Sequence, residues 1–321
     1  MRVTVLAGGV GAARFLRGLV QVVGPAEVTA VVNVGDDFTL HGLAISPDID
    51  TVCYTLAGEI NPETGWGRAT ESWRVLEELR RLGGRTWFRL GDLDLALHLY
   101  RTQRLAEGAT LSEVTAEVAA AKGVGVRLLP VSDDPIRTRL VPAAGELAAA
   151  DADAGAADDI AFQDYFVVRR HDIAVSAVRF AGVESARPAP GVAAALADAD
   201  VVVIAPSNPF VSIGPVLAVP GVTEQLERRR DSVVAVSPIV GGSAVKGPAG
   251  RMMTELGHEC SAVGVAALYC GVAATLVIDD VDAGLAPAVE ATGMTAAVAD
   301  TIMDGDARAA AVAAATLAAV P

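Results

Sequence analysis

Four aspartates carry the clearest chemical signal in this chain. Asp36 and Asp37 end the turn Asn33-Val34-Gly35-Asp36-Asp37, and Asp48 and Asp50 follow in Ser46-Pro47-Asp48-Ile49-Asp50-Thr51. Carboxylates gathered in this way offer oxygen-only ligands. These suit Mg²⁺, which takes one or two carboxylates and completes its shell with phosphate oxygens and water. A carboxylate in such a group can also orient or deprotonate an attacking hydroxyl. A simpler role exists for Asp48 and Asp50: with Ser46 as N-cap and Pro47 as first helical residue, they become first-turn acids that complement the helix dipole. That role suffices for either one alone. Four together, in a chain whose expected ligand is anionic, favour metal or hydroxyl binding.

The expectation of an anion comes from Gly8-Gly9-Val10-Gly11-Ala12-Ala13-Arg14. A strand running into glycines lets the backbone approach a phosphate, and the next helix presents unpaired N–H groups and a positive dipole end. The dinucleotide fingerprint wants glycine where Arg14 stands, and a tight β-to-α turn needs glycine with or without a ligand. A further segment, Phe88-Arg89-Leu90-Gly91-Asp92-Leu93-Asp94, is followed by His98. Arg89 has the planar fork that grips phosphate. Asp92 reads as N-cap of the next helix, His98 as a surface residue on it, and Ser132-Asp133-Asp134-Pro135 as a turn. Late in the chain, Ala205-Pro206-Ser207-Asn208-Pro209 continues through Ser212, Ile213 and Gly214 to Pro215, with small polar groups where a helix should begin. Ser237 to Gly242 and Lys246 to Gly250 are similarly rigid and glycine-rich. Long strand-to-helix connections of this kind more often serve function than structure.

The elements that must hold these residues read as a doubly wound α/β fold. Val3–Leu6 and Val28–Val34 are unbroken apolar runs, as are Val201–Ala205, Val233–Val236 and Thr275–Ile278. Runs without alternation fit strands buried on both faces of a parallel sheet. From about Thr70 to Lys122 the apolar spacing is helical, through Trp73, Leu76 and Leu79 and then Leu93, Leu97 and Tyr100. Short β-like pieces follow at Val126–Leu129, Arg137–Val141, Phe162–Val168 and Ala174–Val178. Ala148–Asp159 is the expected exposed loop, and the stretch from Asp306 the closing helix. The expected organisation is a Rossmann-like, mainly parallel core from 1–64 and 186–321, with a mostly helical insertion at 65–185.

Composition narrows the function. The 321 residues are 52% hydrophobic and 20% charged, ample for a packed core, with aromatics at only 4%. The net charge of -14 argues against nucleic acid, which needs a basic surface. No apolar run reaches the roughly 18 residues of a membrane helix. The N-terminal apolar stretch is broken by glycines and followed by Arg14 and Arg17, unlike a signal peptide. Three cysteines, without a CxxC, point to a reduced cytoplasm rather than a disulfide framework. Only Lys122 and Lys246 are lysines, against 23 arginines, a skew typical of a GC-rich genome.

Taken together, GGVGAARFL at 8–16, NVGDD at 33–37, SPDIDTV at 46–52, LGDLD at 90–94, SDDP at 132–135, APSNPFVSIGP at 205–215, SPIVGG at 237–242 and GPAG at 247–250 resemble the 2-phospho-L-lactate transferase family of coenzyme F420 biosynthesis. In bacterial members this fold acts as a phosphoenolpyruvate transferase. The resemblance spans nearly the whole chain and rests on the order of the motifs. It implies a homodimer with a Rossmann-like core that requires Mg²⁺. The reaction moves a phosphoenolpyruvyl or 2-phospholactyl group from its diphospho-5′-guanosine carrier to the ribityl hydroxyl of the deazaflavin Fo. GMP leaves, and (dehydro) coenzyme F420-0 is formed. The motifs assign Asp50 and Arg89 to the deazaflavin, and the insertion helps close over it. Gly8, Gly9 and Gly11 fall to the donor, with Ser207, Asn208, Ser212 and Gly214, and Asp36 is a further substrate-binding candidate. Asp37, Asp48 and Asp50 are the catalytic and metal-binding candidates, and Lys246 is left without a role. The rival readings are an NAD-dependent dehydrogenase, which leaves the Ser207 loop unexplained, and a non-enzymatic nucleotide-sugar-binding regulator, which has no need of the four acids.

Overall fold

The computed structural model describes residues 1–146 and 159–320, so of the expected Ala148–Asp159 loop all but Asp159 lies outside the described residues. Seven strands form the central sheet: β1 (Val3–Ala7), β2 (Val28–Val32), β3 (Arg127–Pro130), β4 (Val201–Ile204), β5 (Val233–Val236), β6 (Thr275–Ile278) and β7 (Thr295–Val298). Their order is β7-β6-β5-β4-β1-β2-β3, and every pair is parallel. The strand order reverses at β1, whose Val3 faces Val28 of β2 on one side and Val201 of β4 on the other. A crevice opens at such a reversal, and open α/β sheets bind ligands there, beyond the carboxyl ends of the strands. The inner strands are apolar because helices cover both faces: β1, β4, β5 and β6 are buried at every position.

Helix α1 (Gly9–Val22) follows β1 directly, and the closing helix Asp306–Ala318 lies across it. A methyl on Gly18 would come within 2.2 Å of the Ala309 carbonyl, so the two backbones touch. After β2, a hairpin of Phe38–Leu40 and Leu43–Ile45 leads into α2 (Pro47–Leu56). Helices α3 (Arg74–Arg81), α4 (Asp92–Ala106) and α5 (Leu111–Ala121) follow.

The span 65–185 is not a clean insertion. Its Arg127–Pro130 is edge strand β3, paired from Thr29↔Arg127 to Val32↔Pro130, and α5 packs against that strand. Two excursions leave the sheet instead. One is helical, α3 with α4. The other is β-rich: Arg137–Pro142 lies between Ile160–Ala161 and Val175–Ala181 in a three-stranded antiparallel sheet. Asp164–Val168, inside a piece expected as β, is helical. This excursion has its own small core of Leu140, Phe162, Tyr165 and Val175, closed by Val211 and Met252 from the far half of the chain.

Candidate functional site

The turn after β1 and the loop after β4 meet at the strand-order reversal so closely that only glycine fits. A methyl on Gly11 would sit 2.2 Å from the Pro206 carbonyl oxygen, and one on Gly8 2.8 Å from Ser212 Cβ and 3.0 Å from Asp48 Oδ2. Gly9 adopts φ +67, a left-handed conformation that suits glycine. The Ser207 hydroxyl staples the seam by donating to the Gly8 carbonyl at 2.7 Å and accepting from the Ala12 amide at 3.2 Å. Asn208 Oδ1 caps its own loop, accepting from the Phe210 and Val211 amides. The polar groups of Ser207 and Asn208, expected to bind the donor, are thus engaged within the protein. Gly214 is a packing glycine: a methyl there would come within 3.0 Å of the Phe180 ring. Ser212 is half-buried at the seam, with its hydroxyl near Gly9, and is the better placed to meet a ligand.

Asn33, at the end of β2, gathers the acids. Its amide group donates to Asp48 Oδ2 at 2.9 Å and to the Val211 carbonyl at 3.2 Å, tying the β2 turn and α2 to the β4 loop. Its carbonyl oxygen accepts from the Gly35 amide at 2.7 Å and shapes the turn that carries Asp36 and Asp37. Asp36, Asp37 and Asp48 are all buried. Burial pushes Asp36 well above the ordinary carboxylate range, and the nearby charge of Asp48 pushes it further. Burial raises Asp37 to about 7 despite the Ser46 hydroxyl and the Arg101 charge. It raises Asp48 to about 6 despite hydrogen bonds from Asn33 and the Gly9 amide. One oxygen each of Asp36 and Asp37 is buried without a hydrogen-bond partner among the described residues. Such groups take up a proton or a cation to offset lost hydration. Ser46 occupies the expected N-cap position, but its hydroxyl donates 2.8 Å to Asp37 Oδ2 and does not cap the helix.

Asp50 lies in a different environment. The Arg101 guanidinium takes both of its oxygens, at 3.1 Å from Nη1 and through a shorter contact from Nη2. Both residues are buried. Arg101 also donates to His98 Nδ1 at 3.2 Å. On the other side of the ring, His98 Nε2 faces Asp94 Oδ1 at 3.6 Å, outside hydrogen-bond range, and has no hydrogen-bond partner among the described residues. The Tyr54 hydroxyl donates to the same Asp94 oxygen at 2.6 Å. Burial raises the Asp94 carboxyl, but the nearby His98 ring and the hydrogen bond from Tyr54 outweigh it and hold it below the usual range.

Several sequence expectations change here. His98 is buried, not a surface residue. Asp92 does not cap its own helix: its carboxylate accepts from Ser72 Oγ and the Val75 amide at the start of α3, while Glu71 caps α4 through the Leu93 and Asp94 amides. Arg89 is exposed and lies over the Trp73 ring at 4.4 Å, with no recorded contact to the aspartates among the described residues. Arg101, absent from the expected set, is the best-anchored cation of the site. Its signal was available, since Asp94, His98 and Arg101 follow i, i+4 and i+7 spacing and share one helical face.

The donor set fits a hard cation in part. Among the described residues no group of three acidic, histidine or cysteine side chains is arranged to hold a metal ion, and Asp50, one of the three expected metal ligands, is paired with Arg101. Of the other acids, Asp36 and Asp37 each keep one oxygen without a partner among the described residues, Asp48 stands beside them, and Mg²⁺ needs only one or two carboxylates beside a phosphate.

A sequence model of the family described as 2-phospho-L-lactate transferase CofD matches residues 3–314. The chain belongs to this family. It is 47% identical over 296 residues to a phosphoenolpyruvate transferase of Streptomyces griseus, covering 92% of this chain and 90% of that one. To the phosphoenolpyruvate transferase of Mycobacterium avium it is 42% identical over 299 residues, covering 87% of each. The fold is shared with a UPF0052-family protein of Bacillus halodurans, at a TM-score of 0.63 and 19% identity over 98% of this chain and 99% of that one. As a CofD-family chain it is a transferase enzyme of coenzyme F420 biosynthesis, and the regulator and dehydrogenase readings are not favoured. Among its described residues no helix is long and apolar enough to cross a membrane.

Proposed function

We propose that this transferase moves a phosphoenolpyruvyl group from enolpyruvyl-diphospho-5′-guanosine to the ribityl hydroxyl of 7,8-didemethyl-8-hydroxy-5-deazariboflavin (Fo), releasing GMP and giving dehydro coenzyme F420-0. The lactyl donor is the slower alternative. The reading is carried by one observation: three buried, under-compensated carboxylates stand at the carboxyl ends of the strands beside the β1–β4 crevice. An acidic chain that must hold a diphosphate needs positive charge there. Asp36 and Asp48 would hold Mg²⁺, which would neutralise diphosphate charge as GMP leaves. Asp37, with one free oxygen and a proton affinity near neutrality, takes the proton of the attacking hydroxyl. Ser212 and the Gly9 turn position the donor, and no covalent enzyme intermediate is needed.

On the acceptor side, the Asp50–Arg101 pair is a rigid wall, and Trp73 with Arg89 offers a flat ring and a cation for a deazaflavin. The excursion carrying α3 and α4 would close over it. A cytoplasmic homodimer completes the reading, and light scattering on the purified protein tests the assembly. The deciding experiment incubates Fo with equal concentrations of the two donors and weighs the products. The enolpyruvyl and lactyl units differ by little more than one carbon's geometry, so packing discriminates by ~1–3 kcal/mol, and both products form with the dehydro compound in excess. Failure to form either product would overturn the assignment. Turnover in excess chelator would remove Mg²⁺ from it.

A further inference from the structure

The amides that would cradle the donor phosphates are partly occupied in this chain. The Gly9 amide donates to Asp48, and the Ala12 amide to Ser207. Asp48 therefore brings negative charge to the positive end of α1, and any side-chain cations for the donor's oxyanions lie elsewhere. Two stand close by. Arg14 lies on α1 about one turn beyond Val10, and a methyl placed on Gly65 would be 3.3 Å from Val10 Cγ1, 3.4 Å from Arg14 Nη2 and 3.4 Å from Lys246 Nζ. The two cations therefore flank a single point beside the first turn of α1.

Neither faces a carboxylate among the described residues. Lys122, by contrast, pairs with Glu59 at 2.5 Å, and Arg104 pairs with Glu107 and Glu117. The Lys246 ammonium meets a neutral acceptor, the Thr64 carbonyl, at 2.8 Å. Burial, together with the charge of Arg14, holds it below the usual lysine range. Two like charges held face to face in a protein of net charge -14 are unfavourable unless a ligand supplies the counter-charge. Thr64 and Gly65 belong to a small hairpin pinned at its base, where the Ala69 amide donates to the Glu59 carbonyl at 2.7 Å and Arg68 pairs with Glu59 at 3.1 Å. Its tip forms the third wall of the point between the cations.

We propose that Arg14 and Lys246 form an oxyanion clamp for the donor, gripping either its diphosphate or its terminal carboxylate beneath the tip of the Glu59–Ala69 hairpin. This assignment rests on the guanosine-diphosphate-linked donor proposed above. It also gives a role to Lys246, which the motif order leaves without one.

Calorimetric titration of GDP, GMP and inorganic pyrophosphate into the full-length wild type, Lys246→Met and Arg14→Gln tests it, with the KM for the enolpyruvyl donor measured in parallel. Charge-assisted contacts to an oxyanion predict a loss of about tenfold or more. A loss for GDP and pyrophosphate assigns the clamp to the diphosphate. A loss confined to the KM of the complete donor assigns it to the carboxylate. Lys246 is exposed, so its variant melts with the wild type, and Lys246→Arg restores binding in part. The clamp is overturned if the affinities for GDP, GMP and pyrophosphate and the KM for the donor all stay within about twofold of wild type in both variants. Pyrophosphate binding that depends on the pair, in a protein that makes no product from Fo, would keep the clamp and discard the proposed reaction.

Discussion

Asp50 and Asp37 are both buried on the same side of the sheet, yet their surroundings differ in kind. Asp50 is met by a guanidinium that takes both oxygens, and behind that guanidinium His98, Asp94 and Tyr54 continue an ordered set of polar contacts. Asp37 receives one hydroxyl from Ser46 and keeps an oxygen without a partner, as does Asp36. In the first arrangement both oxygens of the carboxylate are paired before any ligand arrives. In the second they are not, and its raised proton affinities express that deficit. A buried charge already satisfied serves to fix geometry, whereas one left unsatisfied is reserved for a reacting group.

Removing the partner of the satisfied side should have the largest effect. Arg101→Met strands Asp50 in the core and is expected to cost ~3–5 kcal/mol of stability, read as a lowered denaturant midpoint. A midpoint within error of wild type would show that water reaches Asp50 and that the contrast is false. On the unsatisfied side, Asp37→Asn should lower turnover by at least ~100-fold, the usual worth of a positioned base, while the protein stays folded. Asp50→Asn should lower both turnover and stability, since Arg101 is then left buried without its counter-charge. Equal melting of the two variants would erase the distinction between the sites.

The pH dependence of stability sharpens the contrast further. Asp37 rises from 3.8 to about 7 and Asp48 from 3.8 to about 6, so the folded protein binds these protons more tightly than the unfolded chain. Their contribution is fully present below about pH 4 and is lost as pH rises through 6 to 7. Melting of the metal-free protein should therefore fall by a few degrees between pH 5 and pH 8. Added Mg²⁺ should restore more of the loss at pH 8 than at pH 5. A metal response independent of pH would separate the ion from these carboxylates. The smallest expected effect is on Asp36, where Asn removes a poorly hydrated charge and should stabilise the metal-free protein by about 1 kcal/mol. A destabilised Asp36→Asn would mean that the buried oxygen has a partner in solution.

Much of this was legible in the sequence, for physical reasons. Strands β1, β2, β4, β5 and β6 are buried on both faces, so their apolar runs announce them. Strand β7 was not legible, because its edge position leaves Thr295 and Val298 exposed and its residues unremarkable. Val126–Leu129 reads as a β-like piece, but nothing local says that the strand there, Arg127–Pro130, pairs with β2 rather than with its β-rich successors. In the site, the aspartates stood out by type and spacing, whereas their differing roles depend on Asn33 and Arg101, whose partners lie far along the chain. Ser207 and Asn208 had the right chemistry for a ligand, but the seam uses it to bind itself.

The central position of β1 also has a consequence in time. Val3–Ala7 is synthesised before both of its neighbours and gains β2 once residue 32 has emerged, but its other neighbour, β4, ends at residue 204. At translation speeds of about 5–20 residues per second, one edge of this buried apolar strand waits on the order of 10–40 s for its partner. The helix that covers α1, Asp306–Ala318, arrives later still. The nascent chain therefore holds an open sheet edge until β4 has been made, and the crevice beside β1 forms only when β4 closes it.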